Sequence, residues 1–374
     1  MNSKERVHAA LARQPVDRVP VFMWFHPDTA ARLARLLEID PADVGEALGN
    51  DVQQTWVNNN YAMEGIVHAA DGEGHTDAWG IGWVRQHGFN QIARFPLSGA
   101  SRDEVLAYRF PDDRLDSLLA NMAPVVKRSC DSFIGCDVSP CAFEMYWRLR
   151  GMEDAMLDIA ADPILAATMF ERCADFAVRL AEAACTRLPL DWLWTGDDVA
   201  RQQGMLLNPR TWRSLVKPAL ARVFAVGKAH GLPVAYHCCG GLRPIIGDLI
   251  EIGMDVLNPV QGNCPGMDPL SLKAEFGGHL AFMGGVDTQD LLPNGTVAEV
   301  RRATRRLLDG MTAATGSWAT GSDASGGYIL AASHTIPPET PDANIFALYD
   351  EAGITREEIF DRAAMLRARA TLRS

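Results

Sequence analysis

The stretch "GLPVAYHCCGGLRPI" (231–245) places a histidine and two cysteines after an apolar run and before two glycines. On extended backbone successive side chains alternate between faces, so His237 and Cys239 share a side while Cys238 points away and packs. An imidazole nitrogen and a thiolate sulfur on one side suit zinc, and a catalytic zinc takes three protein ligands plus an open position. The H-x-C pair supplies two. The third has to come from elsewhere: His334 in "AASHTIPPETP", or Cys264 in "NPVQGNC". The competing reading is a satisfied histidine beside two packed thiols where a strand ends.

Acids and amides stand at comparable places. Asp197 and Asp198 in "WTGDDVARQQG" offer acid–base or orienting groups. An aspartate opening a helix is also a favoured N-cap, so one of the two is assigned to capping, either one. Asp287 in "GGVDTQ" divides in the same way between a cap and a substrate contact. Glu144 is either a site residue or an ion-pair partner for Arg148 or Arg150. Gln203, Asn258, Gln261 and Gln289 are candidate substrate contacts. The aromatic residues Trp24, Phe25, Trp56, Trp79 and Trp83 read as core or lid.

Something must bring these residues together. Short apolar runs recur at 18–25, 51–58, 132–139, 190–197, 232–238, 254–260, 279–285 and 327–333, with helical patterns between them. Runs of this kind without strict alternation suit strands buried on both faces of a parallel sheet. Eight strands alternating with helices predict a (β/α)8 TIM barrel as a single domain over 1–374, preceded by an N-terminal helical segment. A doubly wound sheet would carry a glycine-rich phosphate loop after its first strand, and "WFHPDTAAR" is not one. Residues 60–110 interrupt the repeat, and "DAWGIGWVRQHGFNQIARFPLSG" predicts an antiparallel hairpin inserted over one barrel face. The polar candidates gather at the C-terminal ends of the predicted strands, where a barrel gathers its catalytic groups, while the N-terminal ends are mostly plain turns. That asymmetry points to an enzyme.

Composition narrows the partners. With 35 basic and 47 acidic residues the net charge is −12, which disfavours nucleic acid and anionic membrane surfaces. No apolar stretch approaches the ~20 residues of a membrane span, and the charged start "MNSKERVHAALARQPVDR" is no signal peptide. Eight cysteines without a C-x-x-C pair read as buried thiols or ligands in a cytoplasmic protein rather than as disulfides.

The segments "ERVHAALARQPVDRVPV", "GDDVARQQG", "AYHCCGG", "MDPLSLKAEFGGHLAFMGGVDTQDLLP" and "GGYILAASHTIPPETPDANIFALYDEA" together resemble the uroporphyrinogen decarboxylase superfamily. The resemblance implies a TIM barrel and two functional branches. One holds cofactor-free porphyrinogen decarboxylases; the other holds zinc-dependent methyltransferases that exchange methyl groups with corrinoid proteins. The methyltransferases carry H-x-C, matched by His237 and Cys239, and a third cysteine ligand where this chain has His334. The decarboxylases have a functional histidine there, but their carboxylate-binding arginine segment is not matched by "MWFHPDTAARLA". Methionine synthase-like relatives use a Glu where Gln261 stands.

The resulting expectation is a zinc-dependent methyltransferase or demethylase with His237, Cys239 and His334 (or Cys264) as ligands. It would move a methyl group between a small ether, thiol or amine and a corrinoid (cobalamin), carried on a partner protein, or another acceptor. Oligomeric state stays open, a homodimer being one form. The alternatives are a metal-free decarboxylase of a porphyrinogen-like or aromatic acid, and a non-catalytic tetrapyrrole or corrinoid binder.

Overall fold

The computed structural model describes residues 1–58, 68–128, 131–313 and 326–371. Seven strands form one parallel sheet in chain order: Val52–Trp56, Phe133–Asp137, Trp192–Gly196, Val234–His237, Val256–Val260, Ala281–Val286 and Tyr328–Ala332. Six of them are buried or nearly so along their length, as the unbroken apolar runs require.

The first predicted strand behaves differently. Residues 20–25 make only isolated parallel bridges, Val21 to Leu330 and Phe25 to Ile336. They still join the two sheet edges: Phe22 N–H donates to Leu330 O at 3.0 Å, and Asp51 N–H to Val21 O at 2.8 Å. The ladder is irregular because Pro20 has no N–H, and because Val21 and Met23 donate instead to the side chains of Asp51 (2.8 Å) and Asn50 (3.1 Å). The barrel therefore closes through this segment.

Two layers of packing hold it. Inside, Phe22, Phe133, Trp192, Trp194, Met283 and Ile329 fill the lumen, and Val7 of the Ser3–Leu11 helix plugs the N-terminal end. Outside, the helices cover the strands; the longest, Pro163–Arg187, buries Met169, Phe170, Cys173, Phe176 and Leu180. The segment after Asn208 forms two helices, Pro209–Leu215 and Lys217–Ala229, because Pro218 breaks the hydrogen-bond ladder between them.

The insertion is a three-stranded antiparallel sheet, Gly74–Thr76, Gly82–Gln86 and Phe89–Arg94, one strand more than the predicted hairpin. His87 and Gly88 turn it with φ of 51° and 80°. Its tip packs over the barrel mouth, where Phe89 meets His26 at a ring separation of 4.7 Å. Of the region expected to form the insertion, 60–67 lie outside the described residues, as does Cys130; the other seven cysteines are free thiols. No helix among the described residues is long and apolar enough to cross a membrane.

Candidate metal centre and active site

His237 is the last residue of its strand, and Cys239 follows two residues on. The loop leaves through Gly240 at φ +92°, where a Cβ would stand 2.5 Å from the carbonyl oxygen of Arg201. Only glycine fits there, so the tight exit from the strand is written into "HCCGG". His334 arrives from beyond the Tyr328–Ala332 strand. One ligand atom from each of His237, Cys239 and His334 lies within 4.8 Å of the others.

The donor chemistry and the spacing fit zinc. Cys239 Sγ stands 3.6 Å from His237 Nε2. Two ligands at about 2.3 and 2.0 Å in tetrahedral array would be roughly 3.5 Å apart. His237 Nδ1 is 2.7 Å from Asn258 Oδ1. The Asn258 amide nitrogen faces Met283 O at 3.4 Å, so the oxygen is the end that accepts, and Nε2 is left for an ion. Cys264 is buried and stands outside this group, its thiol pKa raised by burial and by Cys239. Cys238 is fully buried, as alternation requires.

The acids separate into distinct roles. Asp197 is fully buried and caps the Phe143–Arg150 helix, accepting from Ala142 N (3.2 Å), Phe143 N (2.9 Å) and Glu144 N (2.7 Å). A cap was foreseen at this pair, but it serves a helix earlier in the chain. Asp198 instead accepts from Cys239 N at 2.8 Å, and its own N–H donates to Glu144 Oε2 at 2.9 Å. Glu144 also pairs with Arg148 at 2.6 Å, whose guanidinium lies 5.6 Å from the Trp56 ring centre. Arg150 pairs elsewhere, with Asp158. A chain of contacts thus runs from Arg148 through Glu144 and Asp198 to the backbone of Cys239.

A cavity of about 200 Å³ opens beside the centre, lined by Cys239, His334, Gln261, Gln289, Gln202 and Arg201 among others. Gln261 anchors its oxygen on Gly240 N at 2.9 Å. Gln289 exchanges amide hydrogen bonds with Gln202 at 2.9 and 3.1 Å. Gln203 sits apart, exposed on a different groove next to Gly204 and Asn208. Asp287 accepts from Gln289 N (2.8 Å) and Leu291 N (3.3 Å) and lines an adjoining cavity, so its geometry is that of a turn cap.

Burial governs the proton affinities. It pushes Asp198 up to about 6, reinforced by Glu144 and opposed by His237. On His237, burial is outweighed by Cys239, Asp198 and the Asn258 hydrogen bond, which raise it to about 10. His334 is open to solvent on one side; desolvation on the other and the neighbouring His237 lower it to about 4, so it is neutral at pH 7.

Asp137, last residue of its strand, is a group that residue-by-residue reading missed. It is 6% exposed, and its Oδ1 accepts from Ser139 N (2.9 Å) and Ser139 Oγ (2.5 Å). Burial raises it to about 7, with Glu144 adding and Ser139 and His237 opposing. The strand-end rule, had it been applied to "SFIGCDVS" (132–139), would have found it. Arg201 and Gln202 stand in the same strand-end loop as Gln203, "WTGDDVARQQG", and nothing local separates them from it.

A parallel barrel with titratable and metal-ligating residues gathered at one mouth is the architecture of an enzyme. Residues 93–353 match the uroporphyrinogen decarboxylase (URO-D) family, and the chain belongs to it. A uroporphyrinogen decarboxylase of Thermus thermophilus is 28% identical over 179 residues, 47% of this chain and 43% of that protein. Methylated-thiol–coenzyme M methyltransferase of Methanosarcina mazei is 24% identical over 222 residues, 57% of each. The chain spans about half the length of these curated relatives. A methyltransferase structure from Methanosarcina mazei superposes with a TM-score of 0.62 at 19% identity, covering 94% of this chain and 98% of that one, a likeness of fold.

Proposed function

We propose that this protein is a zinc-dependent methyltransferase or demethylase that moves a methyl group between a small methylated substrate and a corrinoid. The observation that carries this reading is the convergence of His237, Cys239 and His334 at one mouth, within 4.8 Å. A zinc ion held there would supply Lewis acidity toward a substrate sulfur or oxygen. The corrinoid, on a partner protein, would be the methyl carrier. The likeness to a methylated-thiol methyltransferase is in keeping with this.

The chain's own residues have definite tasks. Asn258 fixes the His237 ring, and Asp198 and Gln261 fix the Cys239–Gly240 backbone, so the ligands are oriented before an ion arrives. Asp198 and Asp137, with proton affinities raised by burial, hold or accept a proton near neutral pH beside the reacting atoms. The cavity takes up the remainder of the substrate and limits water.

Metal content of the purified protein, measured by plasma mass spectrometry alongside Cys239→Ala and His334→Ala, tests this. About one zinc per chain, lost in both variants, is the expected result, followed by methyl transfer to cobalamin. No zinc in protein handled without chelators would overturn it in favour of a metal-free decarboxylase, in which His334 and Asp198 protonate carbon.

A further inference from the structure

The Phe143–Arg150 helix links the metal centre to the inserted sheet through one side chain. Arg148 donates to Glu144 Oε1 at 2.6 Å, and its guanidinium carbon lies 5.6 Å from the Trp56 ring centre and 6.0 Å from that of Trp83. Trp56 ends the Val52–Trp56 strand of the barrel, whereas Trp83 belongs to the middle strand of the insertion. Both rings are fixed by their indole N–H groups, Trp56 on Ser139 O at 2.5 Å and Trp83 on Asp77 Oδ2 at 2.7 Å. A guanidinium within ~6 Å of a tryptophan ring centre is attracted to its face, the more so when shielded from water. The Arg148 side chain is shielded, at 13% exposed.

Glu144 passes this placement on. Its side chain is 11% exposed and divides its oxygens, Oε1 taking Arg148 and Oε2 the N–H of Asp198 at 2.9 Å. The Asp198 carboxylate in turn accepts from Cys239 N at 2.8 Å. Each link is a hydrogen bond to a carboxylate, the stronger kind. Without the guanidinium, Glu144 would keep a largely buried charge on a single N–H. Turning that carboxylate toward water would release Asp198. Asp197 caps the same helix one residue earlier in the loop, so the loop stays in place while Asp198 loses its orientation.

We propose that Arg148 is a positioning residue for Cys239: held by a tryptophan of the barrel and one of the insertion, it fixes Glu144 and, through Asp198, the direction of the Cys239 thiol. The insertion is thereby a working part of the metal centre, because Trp83 acts on Cys239 through Arg148, Glu144 and Asp198. The placement of the thiol is independent of any ion; its consequence for zinc rests on the metal-centre reading above.

Alkylation of Cys239 by iodoacetamide in metal-free protein, followed by peptide mass spectrometry, reads the placement of the thiol. The rate should rise about fivefold in Arg148→Met, the weight of roughly one net hydrogen bond. Arg148→Lys keeps the charge but not the flat face and should fall in between, as should Trp83→Leu. The double variant of Trp83→Leu with Arg148→Met should match Arg148→Met alone, because the ring acts only through the guanidinium. Arg150→Met is the control. It breaks a largely buried pair with Asp158 on the same side of the helix sequence but outside the Cys239 contacts, and should lower urea stability without changing the rate. Zinc affinity, by competition with a chromophoric chelator, should fall about tenfold in Arg148→Met and recover in part in Arg148→Lys. A parent-like alkylation rate or zinc affinity in Arg148→Met, an equal rise in Arg150→Met, or additive effects of Trp83→Leu and Arg148→Met would each overturn the proposal. No zinc in the parent with the alkylation pattern intact would instead remove the metal reading and leave Arg148 its positioning role.

Discussion

Asn258 Oδ1 accepts from His237 Nδ1 at 2.7 Å, and through that bond a neighbouring strand sets which nitrogen of His237 faces Cys239. The two residues stand opposite each other in the parallel register of their strands, so the contact is built by the sheet itself. A ring held this way presents Nε2 without first paying for its orientation.

Replacing Asn258 by Ala should therefore weaken zinc binding by about 10- to 100-fold, the usual cost of losing such a partner. Competition against a chromophoric chelator measures it. Asn258→Asp, which still accepts from Nδ1, should stay near the parent value. Unchanged affinity in Asn258→Ala would sink the orienting role.

Asp197 is expected to matter for folding more than for chemistry. It is fully buried and satisfies three backbone N–H groups at the start of the Phe143–Arg150 helix. Asp197→Ala leaves them unpaired and should cost about 2–4 kcal/mol in urea unfolding. Asp197→Asn keeps an acceptor and should cost clearly less. Equal losses in the two variants would contradict the capping assignment.

Asp137 predicts a pH dependence of stability. Its folded pKa is raised from 3.8 to about 7, so between those values the folded state binds the proton more tightly than the unfolded chain. The contribution is fully present below the unfolded pKa and is lost as pH rises through about 7. Stability of metal-free protein should fall from pH 5 to 7 by up to about 1.4 kcal/mol per pH unit from this group. Asp137→Asn should flatten that slope. Unfolding curves with the same slope in parent and variant would remove Asp137 as its source.

The barrel was legible in the sequence because its strands are apolar on both faces and each is followed by a helical pattern. The His237–Cys239 pair was legible for a local reason, since period-two alternation and the Gly240 exit lie within a few residues. Asp197 and Asp198 show where local reading stops. Adjacent residues of one type take opposite tasks because one side chain reaches the helix beginning at Phe143, more than fifty residues earlier in the chain, and the other reaches Cys239. The approach of His334 rather than Cys264 to His237 and Cys239, and the placing of Gln202 rather than Gln203 on the cavity, likewise depend on contacts between distant segments. Composition and spacing determine which elements form and which end of the barrel carries chemistry. Closure of the sheet decides which side chains meet, because such contacts are set by register and loop path, neither of which has a local signature.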